Sequence, residues 1–213
     1  MINKKGLLLV VSGPSGTGKG TICKDIVSKH EDINLSISAT TRKPRVGEIE
    51  GKSYFFKTKE EFEAMVENGE FLEHAMIYDN YYGTPKKAIF DELDKGRDVI
   101  LEIEMQGAMQ IKEVYPQAVF IFVLPPSLQE LKNRIVGRGT ETEEQIEKRF
   151  NSAYDEIKLL GDYDYFIFNN IVEKSSEEIL NILEVEKNKV KRYKKDILDM
   201  FEKEIENVKT IIK

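Results

Sequence analysis

The chain has 213 residues, 40% hydrophobic and 33% charged, enough of each for one folded domain with small insertions. Its 32 Lys and Arg against 38 Asp and Glu leave a net charge of −6, which argues against a protein whose main task is gripping nucleic acid or an anionic membrane. A single cysteine, Cys23, excludes an internal disulfide, no Cys/His cluster offers a zinc site, and neither a signal-peptide pattern nor a bilayer-length apolar run occurs, so a cytoplasmic location is expected.

Taken in chain order, Leu7–Val11 is a short continuous apolar run, as expected of a strand buried on both faces of a parallel sheet. From about 36 to 95 the apolar runs shorten and polar residues interrupt them, as in Ser53–Lys57, Glu70–Glu73 and Asn80–Gly83. This stretch reads as a small mixed α/β insertion, with a helix from Lys59 to about Asn68 capped by Thr58 and Glu61. Thr84-Pro85 places a proline at a first helical position. Asp98–Glu104 and Ala118–Leu124 are further buried-strand candidates, followed more weakly by Tyr165–Phe168. Ser127–Glu130 and Ser175–Glu178 have the capping-box form, and Gly137–Glu144 is a polar loop opening another helix.

The alternation predicts an α/β fold with a three-layer α/β/α core and a parallel sheet. Beyond about Ser175 the chain reads as one long helix or two, with Val190, Ile197, Phe201, Ile205, Val208 and Ile212 near helical spacing. Such a helix packs on its own domain or on a partner subunit. The basic cluster Lys187, Lys189, Lys191, Arg192, Lys194 and Lys195 reads as a solvated face.

The most informative residues follow the first strand: Gly13-Pro14-Ser15-Gly16-Thr17-Gly18-Lys19-Gly20-Thr21. A strand, a glycine-rich loop ending in Gly-Lys and then a helix form a P-loop. The glycines let successive N–H groups turn toward phosphate oxygens, the helix offers its positive end, and Lys19 reaches the β- and γ-phosphates. The residue after the lysine is Gly20 rather than the usual Ser or Thr, and Thr21 comes one later. Either Thr21 meets a phosphate or a metal through water, or the metal is held mostly by water and nucleotide.

A second phosphate site is expected in the insertion. Arg42 and Arg45 flank Pro44 in a segment too polar for a core, and their forked donors suit a dianionic phosphate. Tyr54 and Tyr82 add hydroxyl donors. On the Asp98–Glu104 strand, Glu102 and Glu104 are two residues apart and so leave the same face, a costly arrangement unless cations or donors meet them.

These segments together resemble the guanylate kinase family of P-loop nucleoside-monophosphate kinases. The match runs through Gly13–Thr21, Thr40–Glu48, Phe71–Ala75, Asn80–Thr84, Ile103–Ala108 and Gly137–Glu141, in order, over roughly Lys5 to Glu184. The resemblance implies a core at 5–35 and 96–184, a GMP-binding insertion at about 36–95, a lid at about 137–150 and a helical extension at 185–213. It implies transfer of the γ-phosphoryl group of ATP to GMP, giving ADP and GDP. ATP would lie on Gly13–Thr21 with Arg134 and Arg138. GMP would lie among Ser38, Arg42, Arg45, Glu48, Tyr54, Glu73, Tyr82, Thr84, Glu102, Glu104 and Arg149. Lys19, Arg42, Arg138 and Arg149 would be catalytic. Glu73 and Glu104 would accept from the guanine edge, and Thr84 would donate to O6.

The cofactor implied is Mg2+, held mainly through water and nucleotide phosphates, with Thr21 and Glu102 as candidate contacts. In the family the positions of Glu102 and Glu104 are usually Asp, so Glu102, one methylene longer, is a weaker candidate for direct ligation. The expected partners are ATP and GMP, with no nucleic acid and no membrane, in a monomer or homo-oligomer. Two other readings stand beside this one. Guanylate-kinase-like domains also serve as non-catalytic binding modules, which the intact Gly18-Lys19 disfavours. A kinase for another monophosphate such as AMP is disfavoured by the guanine-edge carboxylates and the Arg42–Glu48 segment.

Overall fold

The computed structural model describes residues 4–77, 79–136 and 143–211, with backbone alone over 143–149 and 206–211. Among them a five-stranded sheet has the order β2-β7-β1-β8-β9, every neighbouring pair parallel. Its strands are β1 Leu8–Ser12, β2 Ile33–Leu35, β7 Asp98–Glu102, β8 Val119–Leu124 and β9 Tyr165–Phe168.

The period of two in β1 explains the layers. Leu7, Leu9 and Val11 face one side, against Ile22, Cys23 and Ile26 of α1 (Lys19–Lys29) and Ile179 and Leu183 of α7 (Val172–Glu186). Leu8 and Val10 face the other, against Ile89 and Leu93 of α3 (Lys86–Asp94) and Ala108 and Ile111 of α4 (Met105–Val114). With both faces covered, the strand is apolar throughout, as its sequence indicates.

A second, mixed sheet has the order β4-β3-β6-β5: β3 Ala39–Thr40, β4 Phe55–Phe56, β5 Phe71–Ile77 and β6 Asn80–Pro85. It carries α2 (Lys59–Glu67), started by a complete Thr58–Glu61 capping box. Helix α5 (Leu128–Val136), α6 (Glu143–Ile157) and a 3-10 turn at Lys158–Asp162 precede β9, and α8 (Val190–Ile211) ends the described chain.

Four local readings change. The strand expected over Asp98–Glu104 stops at Glu102, and Glu104 is the N-cap of α4, so the two carboxylates do not share a strand face. Helix α7 begins at Val172 rather than at the Ser175 box; both serines are buried inside it. Pro85 is the N-cap of α3 and the last residue of β6, one position before the helix. The C-terminal segment is two helices, and its basic cluster is not simply solvated: Lys187 pairs with buried Asp98 at 2.7 Å and Arg192 with buried Glu186 at 2.6 Å.

Candidate functional site

The carboxyl ends of β1 and β7 open into a cleft of about 700 Å³ between the two sheets. One wall is the loop from Gly13 to Gly18. Positive φ angles at Gly13, Gly16 and Gly18 turn the backbone tightly, and Gly18 caps α1 in the left-handed region. Ser15, Gly16, Gly18, Lys19, Gly20 and Thr21 line the cleft. Thr17 lies behind them, its hydroxyl donating to Pro14 O at 2.9 Å. The Lys19 ammonium is folded back on the loop, donating to the carbonyls of Gly13 and, at 3.2 Å, Pro14.

Two residues brace this loop from outside. Arg134 of α5 donates to Thr17 O at 3.4 Å and Asn169 O at 3.1 Å, and is held by Glu130 at 2.9 Å. Asn169, buried at the end of β9, donates from Nδ2 to the same Thr17 carbonyl at 2.7 Å and accepts from the Ser175 hydroxyl at 3.2 Å. Its amide packs so close to Gly18 that a Cβ there would lie 2.4 Å away. Nothing in the sequence around Asn169 signals this role, since the loop it supports is some hundred and fifty residues away.

The opposite wall comes from the second sheet. Ser38, Arg45, Tyr54, Glu73 and Tyr82 line the cleft, joined by Glu102 and Glu104 at its floor. Glu73 is 7% exposed, and burial pushes its carboxyl above the usual carboxylate range. The Thr84 hydroxyl donates to its Oε1 at 2.5 Å and pulls the other way. Thr84 is itself fully buried and its one proton is spent on Glu73, so here it holds the acid rather than facing a ligand.

Glu102 reaches over the first turn of α1. A Cβ on Gly20 would lie 2.9 and 3.0 Å from its two carboxylate oxygens. Burial pushes the Glu102 carboxyl up, Lys19 and Lys24 pull it down, and Glu104 adds a smaller push upward. The longer acid at 102 and the missing side chain at 20 are thus two sides of one fit.

Arg42 and Glu48 lie next to the wall residues Arg45 and Tyr54. They form a bidentate pair at 2.8 and 3.0 Å, and Glu48 also accepts the Arg45 backbone N–H at 2.7 Å. The Arg42 guanidinium lies 5.4 Å from the Tyr54 ring centroid. This pairing holds the Glu48 carboxyl below its ordinary value. Of the remaining expected residues, Arg138 lies outside the described residues. Arg149 falls on α6, described there by its backbone alone.

Among the described residues no three His, Cys, Asp or Glu side chains gather into a cage. A single carboxylate at Glu102 beside the phosphate loop suits Mg2+, which keeps several waters and takes most other ligands from substrate phosphates.

The chain is similar over most of its length to known proteins. The sequence profile of the guanylate kinase family matches residues 5–186. A guanylate kinase of Clostridioides difficile is 67% identical over 205 residues, covering 96% of this chain and 100% of that protein. One of Caldanaerobacter subterraneus subsp. tengcongensis is 55% identical over 193 residues, 91% of this chain and 94% of that one. The crystal structure of guanylate kinase from Anaplasma phagocytophilum superposes with a TM-score of 0.73 at 37% identity, over 88% of this chain and 89% of that one. Among the described residues no helix is long and apolar enough to cross a membrane. The chain belongs to the guanylate kinase family and is an ATP:GMP phosphotransferase.

Proposed function

We propose that GMP binds with its guanine edge on Glu73 and its phosphate toward Arg45, Tyr54 and Tyr82, facing ATP on the Gly13–Thr21 loop. The observation that carries this is the buried, hydrogen-bonded carboxylate of Glu73 across the cleft from the phosphate loop. Guanine offers N1–H and N2–H as donors to one carboxylate. Adenine turns a lone pair toward it, and each buried group left unpaired costs about 1–3 kcal/mol. Thr84 fixes Glu73 from behind. Glu48 does the same for Arg42 and the Arg45 backbone, which makes it a loop organiser rather than a direct GMP contact. Ser38 and Glu104 complete the pocket rim.

Attack is by a GMP phosphate oxygen that is already anionic, so no strong general base is needed and the task is positioning and charge neutralisation. Lys19 leaves the Gly13 and Pro14 carbonyls for the β- and γ-phosphates when ATP arrives. Arg134, anchored on the loop itself, stays beside them. Arg42, Arg138 and Arg149 supply the further cationic groups, with Arg138 and Arg149 on a segment that closes over ATP. Mg2+, when bound, neutralises phosphate charge in the transition state, and Glu102 and Thr21 would hold it through water. This closed arrangement excludes water that would otherwise hydrolyse ATP.

A coupled assay of ADP release tests the reading. Strong activity with GMP and little with AMP, CMP or dTMP is expected, with turnover abolished by Lys19→Ala in a protein that still folds. Equal activity with AMP contradicts the guanine assignment. Activity with no monophosphate at all favours a binding module.

A further inference from the structure

Glu73 does not stand in a regular strand. Phe71 pairs with Pro85 and His74 with Gly83, so β5 takes three residue steps where β6 takes two. Leu72 and Glu73 therefore both oppose Thr84. This is a β-bulge, in which the extra residue bends the strand and re-aims its side chains. Phe71 and His74 fall on one face, where Phe71 stacks on Phe62 of α2 with ring centroids 4.5 Å apart. Leu72 and Glu73 are both buried, which breaks the alternation of a flat strand. Leu72 joins the core cluster of Ile89 and Ala108, and Glu73 reaches the cleft.

Such a bulge can slip along its partner unless something pins it. Strand β5 is the outer strand of its sheet, so backbone groups on one side of it face away from β6. At His74 both of those groups are taken by one side chain. Gln110 of α4 accepts the His74 N–H on Oε1 at 3.2 Å and donates from Nε2 to the His74 carbonyl at 3.1 Å. An antiparallel neighbour would exchange the same two bonds, so Gln110 replaces a missing strand at this one position. It lies three residues after Gly107, whose missing side chain leaves room for Glu73 Oε2. One face of α4 thus meets both the acid and the strand residue that follows it.

We propose that Gln110 is a positioning residue for the guanine site, pinning the bulge that aims Glu73 into the cleft. The proposal rests on the reading that Glu73 holds the base. Without the clamp, and with Phe71 still stacked on Phe62, β5 can lose its bulge by sliding one place along β6. Glu73 then opposes Gly83 and its carboxyl turns away from the cleft. Only the molecules that keep the bulge bind GMP well, so apparent affinity falls with their fraction.

Steady-state kinetics of Gln110→Met tests this, since methionine keeps the length and packing of the side chain and removes both bonds. KM for GMP should rise about 5- to 20-fold, with kcat, KM for ATP and Tm close to wild type. The His74 amide should exchange with deuterium faster in the variant, because its acceptor is gone. In a Glu73→Ala background the change at 110 should add little, because it acts through the carboxylate already removed. A wild-type KM for GMP in Gln110→Met, beside a raised one in Glu73→Ala, overturns the positioning role and leaves the guanine assignment standing. A wild-type KM for GMP in Glu73→Ala overturns both. Unchanged exchange at His74, equal rises in both KM values, or effects of the two changes that simply add also overturn the proposal.

Discussion

Gly107, near the start of α4, lies directly beneath the Glu73 carboxylate of β5: a Cβ at Gly107 would stand 2.6 Å from Glu73 Oε2. The acid is therefore held from two directions, by the Thr84 hydroxyl on Oε1 and by a helix surface without a side chain under Oε2. On the proposed reading of the base by Glu73, this seat matters as much as the carboxylate.

Gly107→Ala should therefore act on GMP and leave ATP alone. The added methyl group must displace Glu73, costing about 1–3 kcal/mol of guanine recognition, or roughly 5- to 150-fold in KM for GMP. Steady-state kinetics with each substrate varied in turn check the split. A rise in both KM values would mean that α4 itself had moved.

The same carboxylate predicts a pH dependence of definite sign. Burial raises Glu73 above its ordinary value of 4.5, so its contribution to stability is fully present below the unfolded value and fades as pH rises through the folded one. On the proposed assignment, GMP is held by the ionised form. As pH falls through a value above 4.5, the fold gains slightly while KM for GMP rises. Glu73→Gln protein is the control, because it lacks this step yet retains the titration of GMP's own phosphate near about pH 6.

Gly20 and Glu102 form a second pair of the same kind, at the phosphate loop rather than beneath Glu73. Gly20→Ser puts a side chain where the longer acid now lies, and should weaken Mg2+-ATP binding measured by calorimetry without GMP. Glu102→Asp, one methylene shorter, should recover part of that loss when combined with it. A coupling of about 0.5–3 kcal/mol between the two changes is expected for residues in contact, and simple additivity would show that they act separately.

Asn169→Ala removes the buried donor to Thr17 O and the acceptor for Ser175. The loss should be about 1–3 kcal/mol of stability, visible as a lower Tm, with a raised KM for ATP and a nearly unchanged KM for GMP. An unchanged KM for ATP would show that the loop keeps its shape without the brace.

What could be read from the chain follows from which contacts are local. Gly13–Thr21 is contiguous, so its residue types announce the loop without help from the fold. The capping box at Thr58–Glu61 is equally local, and it forms as written. The Ser175 box misleads because tertiary contacts take its hydroxyl: Asn169 and the Ile171 carbonyl use it inside a helix already under way. Glu-Ile-Glu at 102–104 has the alternation of a strand, but α4 starts at Met105 and makes Glu104 its N-cap. Strands of two or three residues, β2 and β3, owe their existence to distant partners and leave little trace in the sequence. The seats at Gly107 and Gly20 and the Asn169 brace are invisible for the same reason. Each joins residues far apart in the chain.

The most direct test of the account is the substrate preference of Glu73→Gln. Measured by ADP release with GMP and with AMP, wild type should favour GMP strongly. The variant should lose roughly 10- to 150-fold in kcat/KM for GMP, the worth of a charged acceptor, through KM for GMP and with KM for ATP unchanged. An unaltered KM for GMP would contradict the claim that this buried carboxylate reads the base.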